Sequence, residues 1–262
     1  MKKIGIYNEY IDAKGGGEKV CLALAEALSK KYDVSIVSPK EVNLDELEEY
    51  FNLDLSKVKL DVISRRTLTA KIVDRLLLPG GLKALIKDYR YFKIIKQKNF
   101  DIFVNNTHQS NLPNPANKGI YMCMFPQRLE GEPTDNTIKK IYRFFIRMLY
   151  RVFLFKGRRH AIDTYDLITA NSKYTQGYIK KYWNKKSEIL YPICDSMKNS
   201  EKKQKIILNV GRFFGDRDLV HHKRQDFLLK SFIESDLHKL GWELHFAGSV
   251  EENAKALKYI LD

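Results

Sequence analysis

The sequence predicts an α/β protein built from a Rossmann-type N-terminal domain followed by the first part of a second Rossmann-type domain. Three observations carry this. Short apolar runs of strand composition alternate with segments of helical period; glycines crowd the turn after the first run; and a polar, lysine-rich stretch precedes a fresh strand-then-helix series.

Taken in order, Lys3 to Tyr7 reads as a short buried strand, and Gly15, Gly16 and Gly17 form a loop before a helix from Glu18 to Lys31 with Val20, Leu24 and Leu28 on one face. Asp33 to Val37 is a second strand ended by Ser38 and Pro39, and Val58 to Ile63 a third. Leu76 to Gln97 is helical apart from Pro79, Gly80 and Gly81; Phe100 to Asn105 is a core strand, and Gly119 to Phe125 another, closed by Pro126. Tyr165 to Ala170 reads as a strand, Ser172 as the N-cap of a helix from about Thr175 to Trp183, and Ser187 to Tyr191 as a last extended piece before Pro192. Residues 193–205 have the composition of a linker, which makes 1–192 one domain and 206–262 a partial second. That second part begins with the strand Lys205 to Val210, continues with a helix from Asp226 to Ser235 and a strand from Trp242 to Ala247, and enters a helix at Glu251.

At 262 residues, 44% apolar and 30% charged, the chain can bury a sizeable core, which excludes disorder. The apolar run from Ile4 to Tyr7 is far too short for a signal-peptide core, so the expected location is cytoplasmic. Cys21, Cys123 and Cys194 are odd in number and widely spaced; they read as small buried hydrophobes, neither a disulfide framework nor a zinc site. The net charge of +14 attracts phosphate, whether on nucleic acid, anionic lipid or a nucleotide.

Two segments follow the first strand of their own unit and could meet that phosphate. A glycine-rich turn at a helix N-terminus lets backbone N–H groups approach an anion closely, which suits Gly15 to Gly17. Arg212 stands at the carboxyl end of its strand, where open α/β sheets bind ligands, and Lys223 follows in the same loop. Arginine offers a two-pronged fork and lysine a mobile point charge, so the pair could clamp a diphosphate. Asp216, Arg217 and Asp218 spell DxD, but their setting in this loop argues against a metal site, and His221 and His222 are read as shaping the loop before Lys223.

The GG-E-V loop, ANSKYT, YPICD, LNVGRF, HHKRQDFLLKSF and WELHFAGS occur here in an order that resembles family 4 glycosyltransferases across nearly the whole chain. The resemblance implies a GT-B fold, with the acceptor on the N-terminal domain and the nucleotide sugar on the C-terminal one. It also implies retaining transfer of a hexose from a UDP- or GDP-sugar to a saccharide or lipid-linked acceptor in polysaccharide assembly, with no metal and no cofactor. By that likeness Arg212 and Lys223 hold the donor phosphates, and Gly16 and Gly17 approach the diphosphate from across the cleft. Two departures stand out. The family's Glu-x7-Glu segment lies beyond Gly248 and Ser249 and is not reached by Asp262, so a C-terminally truncated transferase is expected, with an inactive remnant or partner subunit as the alternative. Met124 occupies a place where similar proteins often carry a histidine, which leaves His108, in NNTHQS, as the imidazole expected in the cleft to orient substrate hydroxyls.

From Ile138 to His160 the chain carries eight basic residues and no acidic one, interleaved with aromatic and aliphatic side chains. Arg143, Arg147 and Arg151 recur every four residues and form a cationic stripe on a helix too charged to span a bilayer. Such a helix can lie in an anionic headgroup layer, giving peripheral attachment at the inner face of the cell membrane. A basic nucleic-acid-binding protein is the remaining alternative; no known signature supports it, and no nucleic acid is expected as a partner.

Overall fold

The computed structural model describes residues 1–63, 78–129, 135–194, 202–213 and 223–250. The chain divides into two compact units, Met1–Asp195 and Ser196–Asp262. The first is built on β1 (Lys3–Tyr7), β2 (Asp33–Ser38), β3 (Val58–Val62), β4 (Ile102–Asn105), β5 (Lys118–Cys123), β6 (Leu167–Ala170) and β7 (Glu188–Ile189). Among the described residues these form one sheet in the order β3-β2-β1-β4-β5-β6-β7, with every neighbouring pair parallel. The chain winds outward from β1 to β3, then returns to lay β4 on the other side of β1. The carboxyl ends of β1 and β4 therefore flank the switch point, where open α/β sheets form a crevice.

Both faces of the sheet are covered, so its strands are apolar on both sides. Ile4, Ile6 and Ile36 pack on one face with Leu22 and Ala25 of α1 (Gly16–Ser29) and Leu47 of α2 (Leu44–Phe51). Tyr7, Val37, Phe103 and Tyr121 pack on the other, with Ile95 of α3 (Gly80–Gln97) and Ile179 of α5 (Lys173–Trp183). Between α3 and β6 in sequence lies α4 (Thr137–Phe153), which contributes Tyr150 to a third cluster with Leu85 and Leu154.

The helix starts differ from the sequence reading in an informative way. Only Gly15 stays outside α1, as its N-cap, and its N–H donates to Glu18 Oε2 at 2.9 Å; Gly16 and Gly17 are already the first turn. Pro79 is likewise the N-cap residue of α3, and Gly80 and Gly81 are its first turn, while Leu76 lies outside the described residues. Ser172 caps α5 as expected, accepting from the Thr175 N–H at 3.1 Å. Cys21 and Cys123 are buried, whereas Cys194 is exposed, because it follows Pro192 beyond the sheet.

The second unit contains β8 (Ile206–Val210), α6 (Gln225–Glu234) and β9 (Glu243–Ala247), with β8 and β9 paired in parallel. Past the strand ends the pairing continues through Gly211 N–H to Ala247 O at 2.8 Å and Phe213 N–H to Ser249 O at 2.8 Å. A Cβ added to Gly248 would lie 2.1 Å from the Gly211 carbonyl oxygen, so only glycine allows this approach. The helix expected from Glu251 lies outside the described residues.

Candidate functional site

Buried polar side chains organise the carboxyl end of the large sheet. Asn105 Nδ2 donates to Ser110 Oγ at 3.0 Å and Tyr165 Oη at 2.9 Å, while its Oδ1 accepts from the Thr107 N–H at 3.1 Å. Asn106 Nδ2 donates to the Gly17 carbonyl at 3.1 Å, and Thr107 Oγ1 accepts from the Glu9 N–H at 3.0 Å. All three side chains are essentially inaccessible. Because each buried polar group must find a partner, this run holds the loop after β4 in one conformation and ties it to the start of α1.

A cavity of about 220 Å³ opens at this switch point, lined by Gly16, Gly17, Asn106, Met124 and Asn171. Met124 packs directly on Gly17, where an added Cβ would meet its Cε at 2.5 Å, and its carbonyl accepts from Asn171 Nδ2 at 2.9 Å. A thioether cannot carry a proton at neutral pH, so this position lines the crevice without acid or base chemistry. Cys21 nearby is pushed up to about 12 by burial and is held as a neutral thiol.

A larger cavity of about 500 Å³ lies on the other face, walled by α4 and by the loops after β4 and β5. Gln109, Ser110 and Asn111 come from the first loop, Arg128 from the second, and Tyr142, Arg143 and Arg147 from α4. His160 and Trp183 also reach it. His108 is exposed, its ring Nε2 2.8 Å from Gln109 Nε2, and it is the neighbour Gln109 that lines the cavity. Partial burial lowers the His108 pKa below the ordinary imidazole value, so the ring is neutral at physiological pH.

Beside this cavity, α4 presents three sectors. Tyr142, Ile146 and Tyr150 face the protein, and Tyr150 Oη donates to Asp88 Oδ2 of α3 at 2.7 Å. The face turned away carries Ile141, Phe144, Phe145, Met148 and Val152, exposed by 42–65%. Arg143, Arg147 and Arg151 occupy the flank between these faces, as their four-residue spacing requires. Phe144, Met148 and Arg151 line a second cavity of about 260 Å³ that shares Arg147 and His160 with the first. Among the described residues no helix is long and apolar enough to cross a membrane.

In the second unit the structure brings Arg212 and Lys223 to the same strand end. The Lys223 stem covers Gly211, whose added Cβ would meet Lys223 Cγ at 2.8 Å, and Gln225 Nε2 donates to the Arg212 carbonyl at 3.2 Å. Residues 214–222, with the DxD sequence, His221 and His222, lie outside the described residues. Arg128, Tyr142 and His160 were not singled out from the sequence. They come together only because α4 lies against α3 and its neighbouring loops, a convergence that sequence spacing does not announce.

The sequence model for Glycosyltransferase Family 4 matches residues 14–196. Among solved structures the chain is similar to the glycosyltransferase of kitacinnamycin, at 13% identity and a TM-score of 0.51 over 93% of this chain and 65% of that one. It is also similar to an S. aureus MnaA–UDP co-structure (14% identity, TM-score 0.43, 99% and 64% of the two chains). A glycosyltransferase from Rickettsia africae gives 13% identity and a TM-score of 0.43, over 99% of this chain and 71% of that one. The chain thus spans 65% and 64% of the length of the first two of these structures. No curated protein matches it.

Proposed function

Because the chain belongs to glycosyltransferase family 4, we propose that it serves retaining, metal-independent transfer of a hexose from a UDP- or GDP-sugar to a saccharide or lipid-linked acceptor in polysaccharide assembly. The observation that carries this reading is that Arg212 follows β8 at its carboxyl end, next to Gly211, which the Lys223 stem covers. When the sugar leaves, negative charge grows on the nucleotide diphosphate. A guanidinium fork and an ammonium from this strand end stabilise that charge, and positioning supplies much of the rest. Gly16 and Gly17 are assigned to the donor diphosphate as well, since their N–H groups belong to the first turn of α1, where no intrahelical partner exists.

The same reading places the protein peripherally on the inner face of the cell membrane through α4. Burying five exposed apolar side chains at about 1–2 kcal/mol each supplies on the order of 5–10 kcal/mol before ordering costs, and each arginine near an anionic surface adds about 1 kcal/mol.

Calorimetric titration tests the donor assignment. Micromolar binding of UDP or GDP is expected, weakened at least about tenfold in Arg212→Ala, the worth of one charge-assisted contact. Unchanged affinity in the variant, or tight oligonucleotide binding without nucleotide preference, would refute it. Salt-sensitive flotation with anionic liposomes tests the membrane assignment: Arg143→Glu, Arg147→Glu and Arg151→Glu together must abolish it.

A further inference from the structure

The flank of α5 carries an aromatic ladder that core packing does not require. Thr175, Ile179 and Trp183 form the row that packs inward. Tyr174, Tyr178 and Tyr182 each stand one position ahead of that row, which turns them about 100° around the helix. Tyr174 is 67% exposed, and Tyr178 and Tyr182 are half-buried. Their ring centroids lie 4.9 Å and 5.3 Å apart in succession. Phe125, from the loop after β5 and 41% exposed, joins them, nearly parallel to Tyr174 at 6.2 Å. Two cations border the row: Lys181 Nζ is 5.5 Å from the Tyr178 ring centre, and the Arg128 guanidinium 5.6 Å from that of Tyr182. From Lys173 to Ser187 the chain has five lysines and no acidic residue. Gly177, exposed in mid-helix, has nothing within 4 Å of where a Cβ would stand, so packing gives no reason for a residue that weakens a helix. It is the surface neighbour of Tyr174 and Lys181, three and four positions away, and keeps the open side of the ladder clear.

We infer that this ladder binds a stretch of an acidic saccharide chain, with pyranose faces on Phe125, Tyr174 and Tyr178 and carboxylates at Lys181 and Arg128. The inference rests on the transferase reading above and names the chemistry of the acceptor away from its reacting end, a chain of uronic-acid type. The negative face of an aromatic ring attracts the C–H face of a sugar, and tyrosine adds a hydroxyl that pairs with sugar hydroxyls at little rotamer cost. From Tyr174 to Tyr182 the helix advances about 12 Å, room for a chain and more than a single sugar needs. Met124 lines the switch-point cavity and Phe125 is the next residue, so the ladder begins at the crevice and leads away from it. The local surplus of lysine selects an acidic chain over a neutral one. Single-stranded nucleic acid fits less well, because bases stack in series on parallel planes, whereas successive tyrosines here are tilted by 53° and 72°.

The test is calorimetric titration of the full chain with hexasaccharides of galacturonate and of hyaluronan. Methyl-esterified oligogalacturonate, polyacrylate and oligo(dT) serve as comparisons. The wild type is expected to bind at least one acidic hexasaccharide, about tenfold more tightly than the neutral ester, the worth of one charge-assisted contact. Lys181→Gln should narrow that margin. Tyr174→Ala should weaken saccharide binding about fivefold to tenfold, and Tyr174→Phe, which keeps the ring face, should retain most of it. Gly177→Gln should raise the melting temperature and yet weaken saccharide binding, a combination that a purely structural role for this helix does not produce. All four variants should keep the wild-type affinity for UDP or GDP, since none lies near Arg212 or Lys223 in the chain. A wild type that binds UDP or GDP but neither acidic hexasaccharide overturns the ladder and leaves the transferase reading standing. Undiminished saccharide binding in Tyr174→Ala overturns it too. So does polyacrylate or oligo(dT) binding as tightly as the saccharide, which would mark a surface that reads charge or nucleic acid.

Discussion

Replacing Asp88 by Asn is expected to stabilise the first unit at neutral pH and to have little effect in acid. Asp88 sits between α3 and α4, largely buried, with Tyr150 Oη donating to its Oδ2 at 2.7 Å. Burial pushes its pKa from the ordinary 3.8 up to about 6, against the opposing pull of the Tyr150 hydrogen bond and Lys87. A carboxyl whose pKa is raised on folding favours the native state while it is protonated. Its full contribution is present below pH 3.8 and is lost as pH climbs past 6. The loss is about 1 kcal/mol at pH 4.5 and about 3 kcal/mol at pH 7, taking about 1.4 kcal/mol per pH unit of displacement. Asparagine keeps the shape and an acceptor oxygen for Tyr150 but cannot ionise. For a unit of this size, about 2–4 °C per kcal/mol translates into a melting temperature about 6–12 °C above wild type at pH 7. Thermal unfolding of both proteins from pH 4 to pH 7.5 checks this. A variant less stable than wild type at pH 7, by an amount that fades toward pH 4, would show that the charged carboxylate is needed and would refute the reasoning.

Two further substitutions probe close approaches. Gly81→Ala places a methyl 2.7 Å from Tyr142 Oη and 3.3 Å from Ile146 Cγ1, so α3 and α4 must part at a cost of about 1–3 kcal/mol. Tyr142→Phe removes the clashing hydroxyl, and a urea double-mutant cycle should recover most of the loss; additive losses would mean the contact is not what limits the packing. Gly248→Ala drives a carbon to 2.1 Å from the Gly211 carbonyl, and should pry apart the ends of β8 and β9 and abolish UDP or GDP binding. Full affinity in that variant would separate nucleotide binding from this strand end.

Much of the fold is legible in the residues themselves. Apolar runs such as Ile4 to Tyr7 and Phe103 to Val104 announce strands because a parallel sheet buried on both faces needs no polar alternation. Ser172 announces a helix start because its hydroxyl meets an N–H that would otherwise go unpaired. The short helix Leu44–Phe51 is poorly announced by periodicity: it is mostly acidic and buries only Leu47, although Asn43 caps it through the Asp45 and Glu46 N–H groups. Position in the sequence also picked out Arg212 and Lys223, since a strand end followed by a loop is a local property, and the family likeness added their expected role. By contrast, α4 is apolar around most of its circumference, and nothing in its own residues says which apolar side chains meet the protein. Packing against α3 decides that: it buries Tyr150 on Asp88 and Tyr142 on Gly81, leaving Ile141, Phe144 and Met148 outside. The same contact raises the Asp88 pKa and gathers Arg128, Arg147 and His160 around one cavity. Local composition determines where a chain bends into strand or helix; desolvation and convergence depend on what a distant segment brings alongside, so they exist only once the tertiary structure has formed.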